Sequence, residues 1–429
     1  MTKHRGSLGV AIVGFGTVGR SVARIVCEGV HPALRLTHIC NRRVAHKRVD
    51  ADWVPSDVVW TDDIEAVLSS DTDVVVELIG GVDPAADWIR RALQSGKSVV
   101  TANKQVIAHH GPELLEVAAQ QQQRLCFEAA VAGGIPIIHG VREGLAGDSL
   151  FRVLGILNGT CNYILTRMEA DQVAFDDALR EAQELGFAEA DPTADVDGFD
   201  AQAKIAILSA VAFGRQISVS EVPLRTIRTI ESIDFVYARR LGCTIRQVAR
   251  AELSPDGDAG VLASVQPTLV PRSSALARVE GSRNVVVVEG AFGGETVFSG
   301  FGAGGDPTGV AVVSDIESIA RGDGPEAARP AVTASVVQHF DAPHYLRFVV
   351  SDRPGIIEAL AGVFSRHGVN IDSVLQEPGW SKTELPFVVT LDACVSSAVE
   401  KTLDECAAFD FNVRPPLWMP MLVSGEGHQ

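Results

Sequence analysis

The chain has 429 residues, a formal net charge of −17 and a hydrophobic content of 46%. This length predicts two to four domains, and the apolar fraction is that of a folded globular protein. No apolar run is long enough for a transmembrane helix, and the acidic balance argues against nucleic acid or an anionic membrane as the main partner. Seven scattered cysteines without a C-x-x-C pair indicate neither a zinc knuckle nor a disulfide framework, so we expect reduced thiols in a cytoplasmic protein.

The first third of the chain alternates short apolar runs with helical stretches. Strands are predicted at Leu8–Val13, Arg35–Cys40, Val74–Ile79, Ser98–Thr101 and Arg124–Glu128, with helices between them that include Thr17–Glu28 and Pro84–Gln94. Near-continuous valine and isoleucine runs are typical of strands that are buried on both faces. The pattern predicts a Rossmann-like α/β domain with a doubly wound parallel sheet.

A glycine-rich motif stands between the first strand and the first helix. It reads Gly14-Phe15-Gly16-Thr17-Val18-Gly19. In this setting the first glycine permits a tight turn, the second lets a pyrophosphate approach, and the third allows close helix packing. We therefore predict dinucleotide binding by this motif, against the alternative of a tight turn without a ligand.

The end of the second predicted strand carries no acidic residue of the kind that usually binds the ribose of NAD. Arg42 and Arg43 follow it instead, with Lys47 and Arg48 close behind. Guanidinium groups suit a 2′-phosphate, so we predict a preference for NADP(H), with NAD(H) as the alternative cofactor. Arg42 or Arg43 would make the contact, unless the segment is only a solvated basic turn.

The middle region predicts an α+β domain for substrate binding or dimerisation. Strands are predicted at Val141–Leu157 and Gly281–Gly290, and helices at Phe175–Leu185, Phe199–Phe213 and Pro307–Ala320. A glycine loop, Gly300–Gly305, precedes the last of these helices. The segment Arg321–Pro330 has the composition of a linker.

Lys204 is one of only seven lysines, against 30 arginines, and lies in an otherwise almost wholly apolar helical stretch, AQAKIAILSAVAFG. A helix that is apolar all round is a buried one. Burial removes hydration from an ammonium group and favours its neutral form, which suits a side chain that exchanges a proton. Asp200 lies four residues earlier and can pair with it. The alternative is a surface ion pair.

Six acidic residues crowd just before this lysine: Glu184, Glu189, Asp191, Asp195, Asp197 and Asp200. Such a cluster suits the amino group of a substrate or a divalent metal ion. The spacing lacks the order of a calcium loop, which disfavours a metal. A solvated acidic loop is the alternative, especially for Asp191 and Asp197.

Lys104 follows the strand Ser98–Thr101 directly. The carboxyl ends of parallel strands are where open α/β sheets bind ligands. Lys104 can therefore contact the cofactor or the substrate, or it caps a turn at the surface.

The C-terminal segment has a β-α-β-β-α-β pattern. The predicted elements are a strand at Leu346–Val350, a helix at Pro354–His367, strands at Val369–Gln376 and Pro386–Leu391, a helix at Ser397–Ala408 and a short last strand. This order is that of a small ferredoxin-like module.

Several segments resemble homoserine dehydrogenase, in the monofunctional form that carries a C-terminal ACT domain. They include VAIVGFGTVG (10–19), VVTANKQVIA (99–108), LNGTCNYILTRM (157–168), ELGFAEADPTADVDGFDAQAKIAILS (184–209), GAGGDPTGVAVVSDI (302–316) and, for the ACT module, YLRFVVSDRPGIIEALAGVFSRHGVNIDSVLQ (345–376). One departure is Cys161, where the family more often has threonine.

The resemblance implies NAD(P)-dependent interconversion of L-homoserine and L-aspartate 4-semialdehyde, on the route to threonine, methionine and isoleucine. By motif, Lys204 would be the acid–base group, and Glu189 and Asp200 would contact homoserine. Lys104 would lie near the reacting carbons, supported by Asp195. The resemblance also implies that Gly186 and Gly305 contact the nicotinamide cofactor. It implies a sodium or potassium ion as well, held mainly by backbone carbonyls of Glu128, Val131, Gly133 and Ile135.

The expected domains are a dinucleotide-binding domain (1–134 with 303–320), a substrate-binding and dimerisation domain (135–302), a linker (321–344) and an ACT domain (345–429). We expect a homodimer or homotetramer, with threonine as an allosteric effector unless the ACT module is purely structural. Two other functions fit the sequence less well. Aspartate-semialdehyde dehydrogenase needs a cysteine nucleophile with a histidine base, for which no motif is present. A non-catalytic amino-acid sensor would not need Lys204, Asp200 and Lys104.

Overall fold

A computed structural model describes residues 7–254, 260–322 and 332–423 of the chain. The predicted linker Arg321–Pro330 lies mostly outside the described residues. Contacts divide the chain into two compact units. The first comprises Met1–Val153, Ala203–Val219 and Val288–Ala334, and the second comprises Leu154–Gln202, Ser220–Val287 and Ser335–Gln429.

The first unit begins with alternating strands and helices. They are β1 (Leu8–Val13), α1 (Thr17–Cys27), β2 (Leu34–Cys40), α2 (Val44–Val49), β3 (Val59–Thr61), α3 (Ile64–Leu68), β4 (Val74–Glu77), α4 (Ala85–Gln94), β5 (Ser98–Thr101), α5 (Lys104–Gln120) and β6 (Leu125–Cys126). The strands form one sheet in the order β3-β2-β1-β4-β5-β6, and every strand pair in it is parallel. The predicted Rossmann-like domain is thus confirmed.

The sequence explains why this sheet is central. Every residue of β4 and β5 is buried, as is β1 after Leu8, so both faces are covered by helices. The carboxyl ends of β1, β4 and β5 therefore meet at one edge, where the loops that follow them are collected.

The predicted strand Val141–Leu157 is wrong in its first half. A short helix, α6 (Ile137–His139), runs into one π-helical turn, Gly140–Gly144, and the strand β7 covers only Leu150–Ile156. The apolar residues of the earlier part are spaced for a helix. The glycines at 144 and 147 then end it, and the Asp148 carboxylate accepts N–H bonds from Ser149 and Phe292.

The remaining elements before the C-terminal module are mostly helices followed by long strands. They are α7 (Gly159–Asp171), α8 (Phe175–Glu184), α9 (Thr193–Val196), α10 (Phe199–Phe213), β8 (Arg215–Gln216), α11 (Ser232–Arg240), β9 (Cys243–Leu253), β10 (Val261–Pro271), β11 (Arg283–Gly290), β12 (Gly294–Phe301), α12 (Gly305–Ala320), β13 (Val332–Thr333) and β14 (Val336–Val337). The long strands form a sheet in the order β12-β11-β7-β9-β10-β14. β9 and β10 pair antiparallel along their whole length.

The C-terminal module has the predicted order of elements. They are β15 (Asp341–Val350), α13 (Ile356–Arg366), β16 (Ile371–Gln376), β17 (Leu385–Val395), α14 (Ser396–Ala407) and β18 (Leu417–Pro420). Its antiparallel sheet has the order β16-β17-β15-β18. The ferredoxin-like ACT fold is thus confirmed, and its first strand begins five residues earlier than expected.

The second unit has a core that joins this module to the preceding helices. Tyr345, Val388 and Met419 of the module's sheet are buried in one cluster with Ile233 and Tyr237 of α11. Among the described residues, every helix is too short or too polar to span a lipid bilayer.

Candidate active site

The glycine loop between β1 and α1 shows a separate role for each glycine. Gly14 has a φ of +105°, and a Cβ there would lie 2.7 Å from the Leu78 carbonyl oxygen. A Cβ on Gly19 would lie 2.1 Å from the Gly14 carbonyl oxygen, whereas a Cβ on Gly16 would meet nothing within 4 Å. The first and third glycines therefore close the turn, and the exposed second one leaves room for a pyrophosphate.

The other loop residues support this arrangement. The buried Phe15 ring contacts Trp60, with 5.0 Å between the ring centroids. Thr17 and Val18 begin α1, where no described side chain caps the helix. The first N–H groups of α1 are thus oriented as donors to an anion in the loop. The loop fits the diphosphate of a dinucleotide.

The end of β2 lies against the same loop. Cys40 pairs with Val13, and the Asn41 side chain accepts a hydrogen bond from the Phe15 N–H at 3.2 Å. Arg42 and Arg43 follow directly, and both are exposed. In this fold the segment after the second strand faces the adenosine ribose, and both arginines belong to that segment.

Gly305, the first residue of α12, lies beside the glycine loop. A Cβ on Gly305 would lie 2.9 Å from Cγ2 of Thr17. The next residue, Asp306, accepts hydrogen bonds from Ser21 Oγ at 2.6 Å and from Arg24 Nη2 at 2.5 Å. These bonds attach the start of α12 to α1, and they lower the pKa of Asp306.

Lys104 is held at the carboxyl edge of the parallel sheet. It is half-buried and begins α5, whose cap is Asn103: the Asn103 side chain accepts from the Val106 N–H at 3.2 Å and donates to the Gly81 carbonyl at 2.6 Å. Glu77 at the end of β4 is 1% exposed and accepts from Thr101 Oγ1 at 2.6 Å. Our sequence analysis missed Glu77, although an acid at the end of an apolar run was a signal.

The acidic cluster before α10 separates into residues with different partners. Asp191 accepts from the Thr193 N–H at 3.1 Å, and its hydrogen bonds with Thr193 lower the pKa of the Asp191 carboxyl. Asp197 accepts from Thr226 Oγ1 at 2.6 Å and from Arg228 Nε at 3.1 Å. Asp191 therefore fixes the backbone of its own segment, whereas Asp197 attaches that segment to the side chains of Thr226 and Arg228.

Asp195 and Asp200 are brought together by a residue that our motif analysis did not single out. The Asn158 side-chain amide donates to Asp195 Oδ1 at 2.7 Å and to Asp200 Oδ2 at 2.9 Å. Asn158 is buried, and both aspartates are half-buried. An asparagine between a strand and a helix is a recognisable helix cap, which was the available signal.

Glu189 and Gly186 lie in the loop between α8 and α9. Both are exposed, and Gly186 has a φ of +77°. The Gln183 side chain donates to the Glu189 carbonyl at 3.0 Å and so attaches this loop to α8. The Glu189 carboxylate stands at the surface of the second unit.

Cys161 is fully buried beside the same acids. Its thiol donates to the Asp195 carbonyl oxygen at 3.2 Å. Burial and the carboxylates of Asp195, Asp200 and Asp197 raise the pKa of the Cys161 thiol well above its ordinary value. The thiol is therefore a fixed hydrogen-bond donor rather than a nucleophile.

Lys204 lies one helical turn after Asp200 on α10 and is 9% exposed. Its neighbours Ala203 and Ile205 are buried, as expected for a helix that is apolar all round. The predicted burial of this lysine is thus observed. An amine in such a place can hold or release a proton beside a substrate.

The segment predicted to bind a monovalent cation is a buried loop of the first unit. Glu128, Val131, Gly133 and Ile135 are all buried, and the intervening Ala132 has a φ of +49°. The Glu128 carboxylate accepts from the N–H groups of residues 138 and 139 and from the His139 ring, which raises the pKa of that histidine. Since the carboxylate is engaged, backbone carbonyls are the oxygen donors that this loop offers, and such oxygens suit a hard cation. No group of three or more acidic, histidine or cysteine side chains among the described residues could hold a metal ion.

Family models and known proteins resemble this chain over nearly its whole length. Residues 14–128 match the model for "Homoserine dehydrogenase, NAD binding domain", residues 136–316 match "Homoserine dehydrogenase", and residues 344–407 match "ACT domain". The homoserine dehydrogenase of Mycobacterium leprae is 41% identical over 94% of this chain and 95% of its own length.

Solved structures agree with the sequence relatives. A homoserine dehydrogenase from Thiobacillus denitrificans has a TM-score of 0.89 and 31% identity, over 97% of this chain and 98% of its own. A hyperthermophilic archaeal homoserine dehydrogenase, solved in complex with NADPH, has a TM-score of 0.62 and 30% identity, over 73% of this chain and 97% of its own.

Proposed function

Because this chain belongs to the homoserine dehydrogenase family of oxidoreductases, we propose that it interconverts L-homoserine and L-aspartate 4-semialdehyde with NADP(H). The observation that carries the proposal is a buried lysine, Lys204, one helical turn from Asp200, whose carboxylate is held beside that of Asp195. Both substrates carry an α-ammonium group, which two adjacent carboxylates complement.

Lys204 is the proposed acid–base group. Oxidation of homoserine removes a proton from the hydroxyl oxygen as the carbon loses a hydride, and reduction of the aldehyde returns a proton to that oxygen. A neutral amine accepts the proton in one direction, and an ammonium group donates it in the other. Asp200, four residues earlier on α10, orients the amine and balances its charge.

Glu189, Asp195 and Lys104 complete the proposed substrate contacts. Asp195 shares the binding of the amino group with Asp200, and the exposed Glu189 adds a third carboxylate. Lys104, at the carboxyl edge of the parallel sheet, would contact the reacting end of the substrate or the cofactor. Its position at the start of α5 supports this role because Asn103 and Glu77 hold that edge in place.

The nicotinamide, when bound, accepts or supplies the hydride. The residues that would hold the dinucleotide are those of the glycine loop, Gly14 to Gly19, with Gly305 beside it and Gly186 as a further contact. Arg42 and Arg43 support a preference for NADP(H) over NAD(H). For the sodium or potassium ion, the proposed ligands are the carbonyls of the buried loop from Glu128 to Ile135.

We also propose that the enzyme acts in the synthesis of threonine, methionine and isoleucine and that it forms a homodimer or homotetramer. A further proposal is feedback inhibition by threonine through the ACT module.

The segment between Arg225 and Glu231 supports a regulatory link between the ACT module and the acidic residues. The Ile227 N–H donates to the Val196 carbonyl at 3.1 Å, beside the acids, and Arg347 of β15 donates to the Thr229 carbonyl at 3.0 Å. A shift of β15 thus has a short route to the acidic segment.

The test follows the absorbance of the reduced nicotinamide. NADPH should be consumed with L-aspartate 4-semialdehyde, and NADP⁺ should be reduced with L-homoserine. Failure in both directions would reject the proposal. Adding L-threonine to the intact enzyme should lower the rate, while L-serine serves as the control. Equal rates with and without threonine, together with an unchanged melting temperature, would reject the feedback role.

A further inference from the structure

Asn158 stands between the two acids of the proposed substrate site, and its orientation is fixed by its own position. It is the cap of α7, where its side-chain oxygen accepts from the Cys161 N–H at 2.8 Å. An amide has one oxygen and one nitrogen, so the nitrogen must face away from this N–H. It does so: the nitrogen donates to Asp195 Oδ1 at 2.7 Å and to Asp200 Oδ2 at 2.9 Å.

The two hydrogen bonds from Asn158 reduce the electrostatic repulsion between Asp195 and Asp200. Two carboxylates drawn to one ammonium group repel each other before the substrate arrives. The two hydrogens of the Asn158 amide can each bond one of these carboxylates, which offsets the repulsion without neutralising either charge. Other charged residues in the same part of the chain are Asp197, two residues after Asp195, and Lys204, four residues after Asp200 on α10.

We propose that Asn158 is a positioning residue that sets the spacing of Asp195 and Asp200 and so determines the affinity for the α-ammonium group of the substrate. It acts through the two carboxylates rather than on the reacting atoms. This inference rests on the proposed function, because it needs a substrate with an amino group at these acids.

The chain allows the cap and the donor to be separated. Asn158→Asp keeps a good helix cap but replaces the amide donor by a carboxylate, the third beside those of Asp195 and Asp200. Asn158→Ser also keeps the cap and adds no charge, but its shorter side chain has one O–H donor in place of the two N–H donors that reach Asp195 and Asp200. Both variants should fold, because the bond to the Cys161 N–H can persist.

We expect Asn158→Ser to lower kcat/KM for homoserine about tenfold to a hundredfold, the value of a hydrogen bond to a charged group, mainly through KM. Asn158→Asp should lower it further and move the acid limb of the pH profile of kcat/KM to higher pH. The KM for NADP⁺ should change little in either variant.

Asn162 is the matched control. It lies one turn later on α7 and is also buried, but its amide donates to the backbone carbonyls of Val279 and Gly281. Asn162→Ser should lower the melting temperature and leave the pH profile unchanged. If both Asn158 variants fold and keep the kcat/KM and pH profile of the wild type, the inference is overturned. If the wild type itself does not oxidise homoserine, the proposed function fails instead.

Discussion

The proposed proton transfer depends on one buried amine, that of Lys204. Replacing it by methionine keeps an unbranched side chain of similar length in its apolar surroundings but removes the proton carrier. We expect Lys204→Met to lower kcat about 100-fold or more while the dissociation constant for NADPH stays near that of the wild type. Steady-state kinetics and a fluorescence titration of the cofactor measure the two quantities.

Lys401→Met is the control for this variant, because Lys401 is an exposed lysine on α14. It should behave as the wild type in both measurements. A Lys204→Met enzyme that keeps a third of the kcat would exclude this amine from proton transfer.

The cysteine thiols should react only slowly in the folded protein. Burial raises the pKa of Cys40 to about 11 and, as the largest cause, that of Cys406 to about 12. Since the thiolate is the reactive form, a disulfide reagent at neutral pH should label native protein slowly and all seven cysteines quickly after unfolding. The half-exposed Cys27 and Cys394 should react first. Rapid native labelling of Cys161 would contradict its assignment as a fixed donor.

At the residue scale, the sequence predicted motifs whose residues are close together in the chain. It did not predict hydrogen bonds between side chains that are far apart in the chain. The roles of the glycines at 14, 16 and 19 follow from one loop, which the sequence shows complete. Asn158 acts on acids that lie 37 and 42 residues further along. Glu77 likewise holds Thr101 on the neighbouring strand. Such contacts depend on which segments the fold brings together, and a single sequence does not show this.

Among the elements, the end of β2 makes the clearest functional prediction. Arg42→Ala and Arg43→Ala should each raise the KM for NADP⁺ and leave that for NAD⁺ nearly unchanged, since only NADP⁺ carries the 2′-phosphate. Arg48→Ala, at an exposed position on α2, is the control. If the KM values for NADP⁺ and NAD⁺ rise by the same factor in all three variants, these arginines do not recognise the 2′-phosphate and act only through the positive charge of the segment.

The pairing of β15 with β18 predicts a dependence of stability on pH. His344 is fully buried; its Nδ1 accepts from the Trp418 indole N–H at 3.0 Å, and its Nε2 therefore donates to the Cys394 carbonyl at 3.1 Å. Burial lowers the pKa of His344, although Cys394 and Asp341 act in the opposite direction. The folded protein thus binds fewer protons than the unfolded chain at this site.

Stability should accordingly fall as the pH drops below about 6.5, the ordinary pKa of histidine. Melting curves between neutral and acidic pH measure this, and His344→Gln should flatten that part of the profile. Trp418→Phe removes the donor to Nδ1 and should cost about 1–3 kcal/mol at neutral pH. A His344→Gln profile as steep as that of the wild type would assign the acid limb to other groups.

Long strands with mixed composition were the elements that sequence patterns did not predict. β9 and β10 are buried over most of their length and yet carry Arg246, Gln247 and Thr268 inside. Arg246 is balanced there by Glu169 of α7, with 3.0 Å between Nη1 and Oε2. Polar residues that are matched by partners far along the chain interrupt the apolar period on which strand prediction depends.

On the scale of the whole molecule, the ACT module cannot be treated as a detachable domain. Its sheet shares a core with α11, and the Tyr237 hydroxyl of that helix donates to the Pro386 carbonyl at 3.1 Å. A protein truncated before β15 would expose Ile233 and Tyr237 to water. Loss of activity in such a truncation would report unfolding of the second unit rather than loss of regulation, so the effector is better tested on the intact enzyme.

A buried ion pair at this shared core should contribute strongly to stability. Arg347 of β15 and Asp234 of α11 are 5% and 0% exposed and lie 2.9 Å apart, and Tyr345 donates to the same carboxylate at 2.7 Å. Removing the Arg347 cation leaves the Asp234 charge buried, which costs about 3–5 kcal/mol. Removing Asp234 costs less, because Arg347 keeps Glu231 Oε1 at 2.6 Å, and removing both members costs less than the sum of the single losses. We expect this pattern for Arg347→Met, Asp234→Asn and the double variant in urea unfolding.

The ion pair between Arg353 and Asp410 in the same module is the matched control. Its side chains are 50% and 76% exposed, so water already solvates both charges and Arg353→Met should leave the free energy of unfolding nearly unchanged. If Arg347→Met costs no more than this, the contact between β15 and α11 does not hold the module in place. Because the same Arg347 side chain donates to the Thr229 carbonyl, its loss should also change homoserine binding through the segment that contacts Val196. A changed KM for homoserine in the Arg347→Met variant would indicate that the ACT module influences the substrate site. An unchanged KM would indicate that the module only packs against α11.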